Sequence, residues 1–113
     1  MKKIEAVIRP ERLEQTKVAL TEASFSGLHV ENVTGRGNQR GVIHSGRGGG
    51  SYVIDMLPKV KLIIVVSDDQ LEGAVKVIVD HAQTGNIGDG KIFISNIEEV
   101  IRVRTGERGQ GVL

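Results

Sequence analysis

Thr84-Gly85-Asn86-Ile87-Gly88-Asp89-Gly90-Lys91-Ile92-Phe93 sets three glycines in six residues ahead of a lysine and an apolar run. Gly85 to Lys91 has the spacing G-x-x-x-x-G-K, in which backbone N–H groups and a lysine cradle phosphates. The context differs from a P-loop in two ways. Ile92 follows the lysine, so the Ser or Thr hydroxyl that would hold Mg²⁺ is missing. The run Ile92-Phe93-Ile94 is β-branched and aromatic, so the loop opens a strand and no helix dipole aids an anion. Two readings stay open: an anion-holding loop for a nucleotide, or a plain turn from helix to strand.

Working outward, the chain before the loop carries Leu71, Ala74, Val75, Ile78 and Ala82 at helical spacing, an amphipathic stripe. Ser67-Asp68-Asp69-Gln70 ahead of it has the form of a capping box. Lys59 to Val66 is nearly continuous apolar and reads as a buried central strand. After the loop, Lys91–Ile97 is a strand, Ile101–Arg104 a short one, and Thr105 to Leu113 a polar tail. Toward the N-terminus, residues 2–8 alternate as a strand and Arg9-Pro10 punctuates it. A helix over 11–24 shows a thin stripe of Leu13, Thr16, Leu20 and Ala23, and a second strand covers 28–36. The order β-α-β, long loop, β-α-β predicts an α+β domain over 1–113. Its antiparallel four-stranded sheet carries both helices on one face, the ferredoxin-like plait. The other face has no cover of its own, so an oligomer is expected.

Residues 35–51 hold seven glycines, three arginines (Arg36, Arg40, Arg47) and no acidic residue. Such a segment cannot bury enough apolar surface to offset its ordering entropy, so it reads as a mobile loop, and loops of this length are usually functional. In an extended Ile101–Arg104, Arg102 and Arg104 leave one face and Ile101 and Val103 the other. Two guanidiniums near Lys91 suit phosphate oxygens, against the plainer reading of a solvated strand face. Lys59 and Lys61, also two apart, could add a cation at the base of the long loop.

Composition narrows the classes. The 113 residues suit one domain, and a formal charge of +1 does not point to nucleic acid. With three aromatics there is little platform for base stacking, and without cysteine there is no disulfide or thiolate metal site. No export signal is read at the N-terminus, which points to the cytoplasm. His29, His44 and His81 have no ligand spacing, and Ser45 and Ser51 lack an orienting Asp–His pair. Asp68-Asp69 suits a helix N-terminus, and Asp89 is a turn residue first. No enzyme is expected.

The chain resembles the PII signal-transduction proteins, trimeric regulators of nitrogen metabolism, essentially end to end. The matching segments are Lys2-Lys3-Ile4-Glu5-Ala6 with Arg9-Pro10, Gly35-x-Gly37 with Gln39 and Gly41, and Tyr52 through Lys61. The most specific are Thr84 through Phe93 and Ile101-Arg102-Val103-Arg104-Thr105-Gly106-Glu107-Arg108-Gly109. The resemblance implies a homotrimer with nucleotide sites between neighbours, where ATP and ADP compete. A mobile T-loop at about 37–55, a nucleotide-site loop at 84–91 and a C-terminal loop at 105–113 go with it. By position it implies cofactor binding at Gly35, Gly37, Gln39, Gly41, Lys59, Ile64, Gly88, Asp89, Gly90, Lys91, Arg102 and Arg104. Gln39 matches the Mg²⁺ ligand used when MgATP and 2-oxoglutarate bind together, and Lys59 with the Gly41 backbone matches the 2-oxoglutarate contact. Arg47 occupies the tip position that docks into ammonium transporters, and Tyr52 the position that some bacteria uridylylate. Implied partners are a transporter or a metabolic enzyme, with recruitment to the membrane by the former. The chain departs from the family at Gly48-Gly49-Gly50-Ser51, which lengthens the loop and removes the acidic neighbour of Tyr52. Further departures are Asn38, His29 and Ile63, the last two beside the expected adenine pocket. An energy sensor blind to 2-oxoglutarate is the alternative function.

Overall fold

The computed structural model describes residues 1–36, 42–45, 51–54 and 56–113, with only the backbone in the two short middle stretches. Among the described residues, six strands and two α-helices run in the order β1 (Lys2–Ile8), α1 (Leu13–Glu22), β2 (Leu28–Gly35), β3 (Val42–Ser45), β4 (Ser51–Ile54), β5 (Leu57–Val66), α2 (Leu71–Ala82) and β6 (Gly90–Asn96). The main sheet has the order β2-β5-β1-β6 and is antiparallel throughout. This is the α+β plait expected from the sequence.

Alternation along the two central strands decides which face takes the helices. Ile4, Ala6 and Ile8 of β1 and Val60, Leu62, Ile64 and Val66 of β5 are all buried, and Leu20, Ala74, Ile78 and Ala82 of the helices close over them. Each fully buried Leu or Ile contributes about 1.5–3 kcal/mol. Among the described residues no helix covers the opposite face: Phe93 is 55% exposed there, opposite Glu5 in the register. Glu5 is flanked by Lys3 at 2.8 Å and Lys61 at 3.7 Å. A single chain does not display the expected trimer.

Local details depart from the sequence reading at the helix starts. The helix expected over 11–24 is a 3₁₀ turn at Pro10–Arg12 followed by α1. Thr16 is fully buried, and its Oγ1 donates to the Arg12 carbonyl at 2.8 Å, which is how a hydroxyl is tolerated under the sheet. Ala23 lies outside the helix and is exposed; Ser24 turns at φ 71°, and Phe25 packs against the core instead. The Ser67–Gln70 pair makes no reciprocal capping box. Ser67 Oγ donates to Gln70 Oε1 at 3.0 Å, and the Gln70 N–H donates to the Ser67 carbonyl at 3.0 Å in a 3₁₀ turn. The N-terminal ammonium pairs with Asp68 at 2.9 Å.

The long loop is not wholly irregular. β3 and β4 form a second, two-stranded sheet with the register Val42↔Ile54, Ile43↔Val53, His44↔Tyr52 and Ser45↔Ser51. β2 and β5 last pair at Gly35↔Leu57.

Candidate functional site

β1 ends at Ile8, which pairs with Val60 on one side and Gly90 on the other. The residues at this end of the sheet therefore meet from three elements: Arg9 after β1, Lys59 at the start of β5, and the loop that joins α2 to β6. Three glycines of that loop have positive φ: Gly85 at 89°, Gly88 at 104° and Gly90 at 107°. Such backbone is nearly free of cost only for glycine. At Gly90 no side chain is possible, because a Cβ would stand 1.7 Å from the Val7 carbonyl oxygen.

Asp89 organises the loop. Its carboxylate accepts from the Thr84 N–H at 2.7 Å, the Thr84 hydroxyl at 2.5 Å, the Gly85 N–H at 2.9 Å and Arg9 Nε at 2.9 Å. The Thr84 hydroxyl foremost, then Arg9, then the two backbone amides, hold this carboxyl well below the usual carboxylate range, with desolvation opposing them. Arg9 Nη2 also donates to the Ile87 carbonyl at 2.8 Å, and Lys59 Nζ donates to the Gly88 carbonyl at 2.6 Å. Burial, with Arg9 second, pushes the Lys59 ammonium down, while Glu11 and Asp89 offset part of that.

These two carbonyl contacts fix the directions of two amides. Among the described residues no peptide is cis, and in a trans peptide C=O and N–H point opposite ways. With the Ile87 carbonyl on Arg9 and the Gly88 carbonyl on Lys59, the Gly88 N–H turns away from Arg9 and the Asp89 N–H away from Lys59. Successive amides of a glycine loop are the kind of group from which anion-binding concavities are built. Lys91 is exposed one residue beyond Gly90. Beside the loop, between α2 and β6, runs an apolar groove of about 530 Å³ lined by Ile78, Val79, Ala82, Ile92 and Ile94 among others.

The structure thus brings together Lys59, Gly88, Asp89, Gly90 and Lys91, and Gly35 lies beside Lys59, where an added Cβ would stand 3.7 Å from Lys59 Cγ. Ile64 is 3% exposed and points into the core, so its side chain offers a ligand no surface in this chain. Gly37, Gln39, Gly41 and Arg47 lie outside the described residues. Tyr52 pairs with His44 in the backbone register, and its side chain lies outside the description.

Arg102 and Arg104 are not on a strand. Ile101 makes a single bridge to Arg108, and the chain between them reverses. Gly106 turns at φ 73°, its N–H donates to the Arg102 carbonyl at 2.8 Å, and the Arg102 N–H donates to the Glu107 carbonyl at 2.8 Å. Thr105-Gly106 follows so soon that the Ile-Arg-Val-Arg alternation is overridden by a turn, and Val103 is 98% exposed. Arg102 Nη1 pairs with Glu107 at 3.1 Å. β6 runs from beside Ile8 to beside Lys2, about 20 Å at strand rise, so this turn follows from the far end of the sheet. Among the described residues no hydrogen bond or ion pair joins it to the 84–91 loop.

Sequence reasoning missed Arg9 and Thr84. Both had a signal: the plait sets the end of its first strand against the start of its fourth, and a Thr five residues before an Asp can close a loop on itself. Among the described residues no three His, Asp or Glu gather as a metal site, and no helix is long and apolar enough to cross a membrane.

Comparison with known proteins agrees with this architecture. The family model described as nitrogen regulatory protein P-II matches residues 1–107. The chain is 55% identical over 109 residues to a nitrogen regulatory protein P-II of Mesorhizobium japonicum, covering 96% of each chain. It is 54% identical over 110 residues to nitrogen regulatory protein P-II 2 of Methanothermobacter thermautotrophicus, covering 97% of this chain and 95% of that one. Over all 113 residues of both chains it is 45% identical to a P-II protein of Pasteurella multocida. With the plait, the 84–91 loop and these matches in agreement, the chain belongs to the P-II family of nitrogen-regulatory signalling proteins.

Proposed function

We propose that this chain is an adenine-nucleotide sensor that controls a membrane transporter or a nitrogen-metabolism enzyme through its 37–55 segment. P-II family proteins are oligomeric regulators of other proteins rather than enzymes, and this reading gives that role a ligand. What supports it is the glycine loop whose Ile87 and Gly88 carbonyls are held by Arg9 and Lys59, which leaves the amides of those peptides turned from these contacts, beside exposed Lys91. ATP and ADP compete for this loop, and Arg102 and Arg104 of a neighbouring copy in a homotrimer close on the phosphates from the other side. Gln39 supplies an amide oxygen, a suitable donor for Mg²⁺, when MgATP and 2-oxoglutarate are both bound. Lys59 and the Gly41 backbone take the 2-oxoglutarate carboxylate. Arg47 and Tyr52 belong to the surface that meets the partner, an ammonium-transporter type of membrane protein being the first choice.

The ligands work by differential affinity for two states of the protein; a ligand that bound both equally would shift nothing. Calorimetry with ADP and ATP on the wild type and on Lys91→Ala tests the site. A Lys91→Ala variant that binds both as the wild type does rejects it.

A second reading drops 2-oxoglutarate and keeps the energy sensor, with a transporter other than the ammonium channel as partner. Its support is that Lys59 already donates to the Gly88 carbonyl at 2.6 Å, while burial lowers the pKa of the ammonium. Titration of 2-oxoglutarate with and without MgATP separates the two. Binding enhanced by MgATP supports the first reading, and no binding in either case supports the second.

A further inference from the structure

An anion site with a carboxylate in its middle has a problem of sign, and Asp89 is that carboxylate. Its charge sits on the same residue whose N–H turns away from Lys59. The loop also has a problem of order, since three glycines at positive φ give it many competing conformations to lose. One side chain meets both difficulties. We propose that Arg9 is a positioning residue for this site: its guanidinium fixes the 84–91 loop from behind and cancels the Asp89 charge, so that a phosphate group meets amides and not a net anion. This rests on the nucleotide reading of the loop.

The geometry is specific to a planar fork. Nε reaches Asp89 Oδ1 at 2.9 Å while Nη2 reaches the Ile87 carbonyl at 2.8 Å, so one group spans Gly88 from both sides. Lysine offers a point charge and cannot hold two such directions in one plane. The Arg9 and Asp89 side chains are only 16% and 23% exposed, so water screens the pair less than it would a surface pair. Glu11 stands 3.9 Å from Nη1, too far to displace the tie to Asp89. Because the Ile87 carbonyl and the Gly88 amide share one trans peptide, Arg9 lies on the side away from the Gly88 N–H. It acts on a ligand through the loop and does not touch it.

The test uses the full chain, with Arg9→Gln, Arg9→Lys, and Arg9→Gln combined with Asp89→Asn. ADP affinity is read by calorimetry and amide exchange by NMR. Arg9→Gln should weaken ADP by about 10- to 100-fold, the equivalent of lost charge-assisted hydrogen bonds. It should also speed exchange at the Thr84 and Gly85 amides, while β1 and β5 amides keep their protection and so report an intact fold. Arg9→Lys should lie between, and adding Asp89→Asn to Arg9→Gln should recover part of the lost affinity, because the uncompensated charge is gone. A merely structural Arg9 predicts a double variant no better than the single one. Wild-type exchange at Thr84 and Gly85 in Arg9→Gln, or no recovery in the double variant, overturns the proposal. If the wild type fails to bind ADP, the nucleotide reading falls by itself, and the exchange measurement still decides whether Arg9 holds the loop.

Discussion

Gly90→Ala is the sharpest perturbation that this structure offers. An alanine Cβ there lies 1.7 Å from the Val7 carbonyl oxygen, 2.8 Å from its carbon and 3.2 Å from Ile8 Cα, all of them backbone atoms of the central strand. Gly85→Ala is the matched control, with a similar φ of 89° and nothing within 4 Å of the added carbon. Both substitutions incur the left-handed strain of an L-residue, about 1–2 kcal/mol. Both recover about 0.4–1 kcal/mol from a stiffer unfolded chain. The control should therefore lose between about 0 and about 1.6 kcal/mol. At Gly90 the contact is relieved only by opening the Ile8↔Gly90 end of the β1–β6 pairing, which removes terminal ladder bonds at about 0.5–1.5 kcal/mol each. It also loosens the half-buried Ile92 behind it. The expected loss is about 3 kcal/mol, read by urea denaturation at one fixed protein concentration, since association contributes to stability. If the two variants agree within about 0.5 kcal/mol, β6 starts with more slack than the register implies and the argument from Gly90 fails.

Three further outcomes are expected. Lys91→Ala and Arg104→Ala should each weaken ATP and ADP by about 1.5–3 kcal/mol in calorimetry, the range for hydrogen bonds to charged groups; unchanged affinity in both rejects the composite phosphate site. Asp89 has a folded pKa below its unfolded value, so its contribution to stability is full above the ordinary carboxylate range and fades as pH falls through the folded pKa. The stability gap between wild type and Asp89→Asn should therefore narrow from about pH 5 toward about pH 2, and a gap that is constant or widens in acid contradicts the loop network. Thr16→Val, nearly isosteric, should lose about 1 kcal/mol by thermal denaturation through the missing bond to the Arg12 carbonyl; a variant as stable as the wild type would show that the bond contributes nothing net.

The plait was legible because period-2 and period-3.6 patterns coincide with real faces. Val60, Leu62, Ile64 and Val66 are the buried half of an apolar run, and Ala74, Ile78 and Ala82 the stripe above it. The glycine loop was legible as backbone that only glycine tolerates, and Lys91 as its exposed cation. Local competition hid the rest. At Ile101–Arg104 strand propensity lost to a turn two residues later. At Ser67 the capping pattern was taken up by a 3₁₀ turn. Arg9 looked like punctuation because its partners, Ile87 and Asp89, are some eighty residues away, and only the strand order brings them to it.

The closing pair Ser45↔Ser51 has a consequence for how such a chain can diverge. The five residues 46–50 lie beyond that pair in sequence, so their number can change without shifting any register toward the body of the sheet. β2 and β5 meet at Gly35↔Leu57 whatever the tip contains. Lineages can therefore rewrite the tip by insertion and deletion, while Lys59 and the 84–91 loop inherit an unaltered frame.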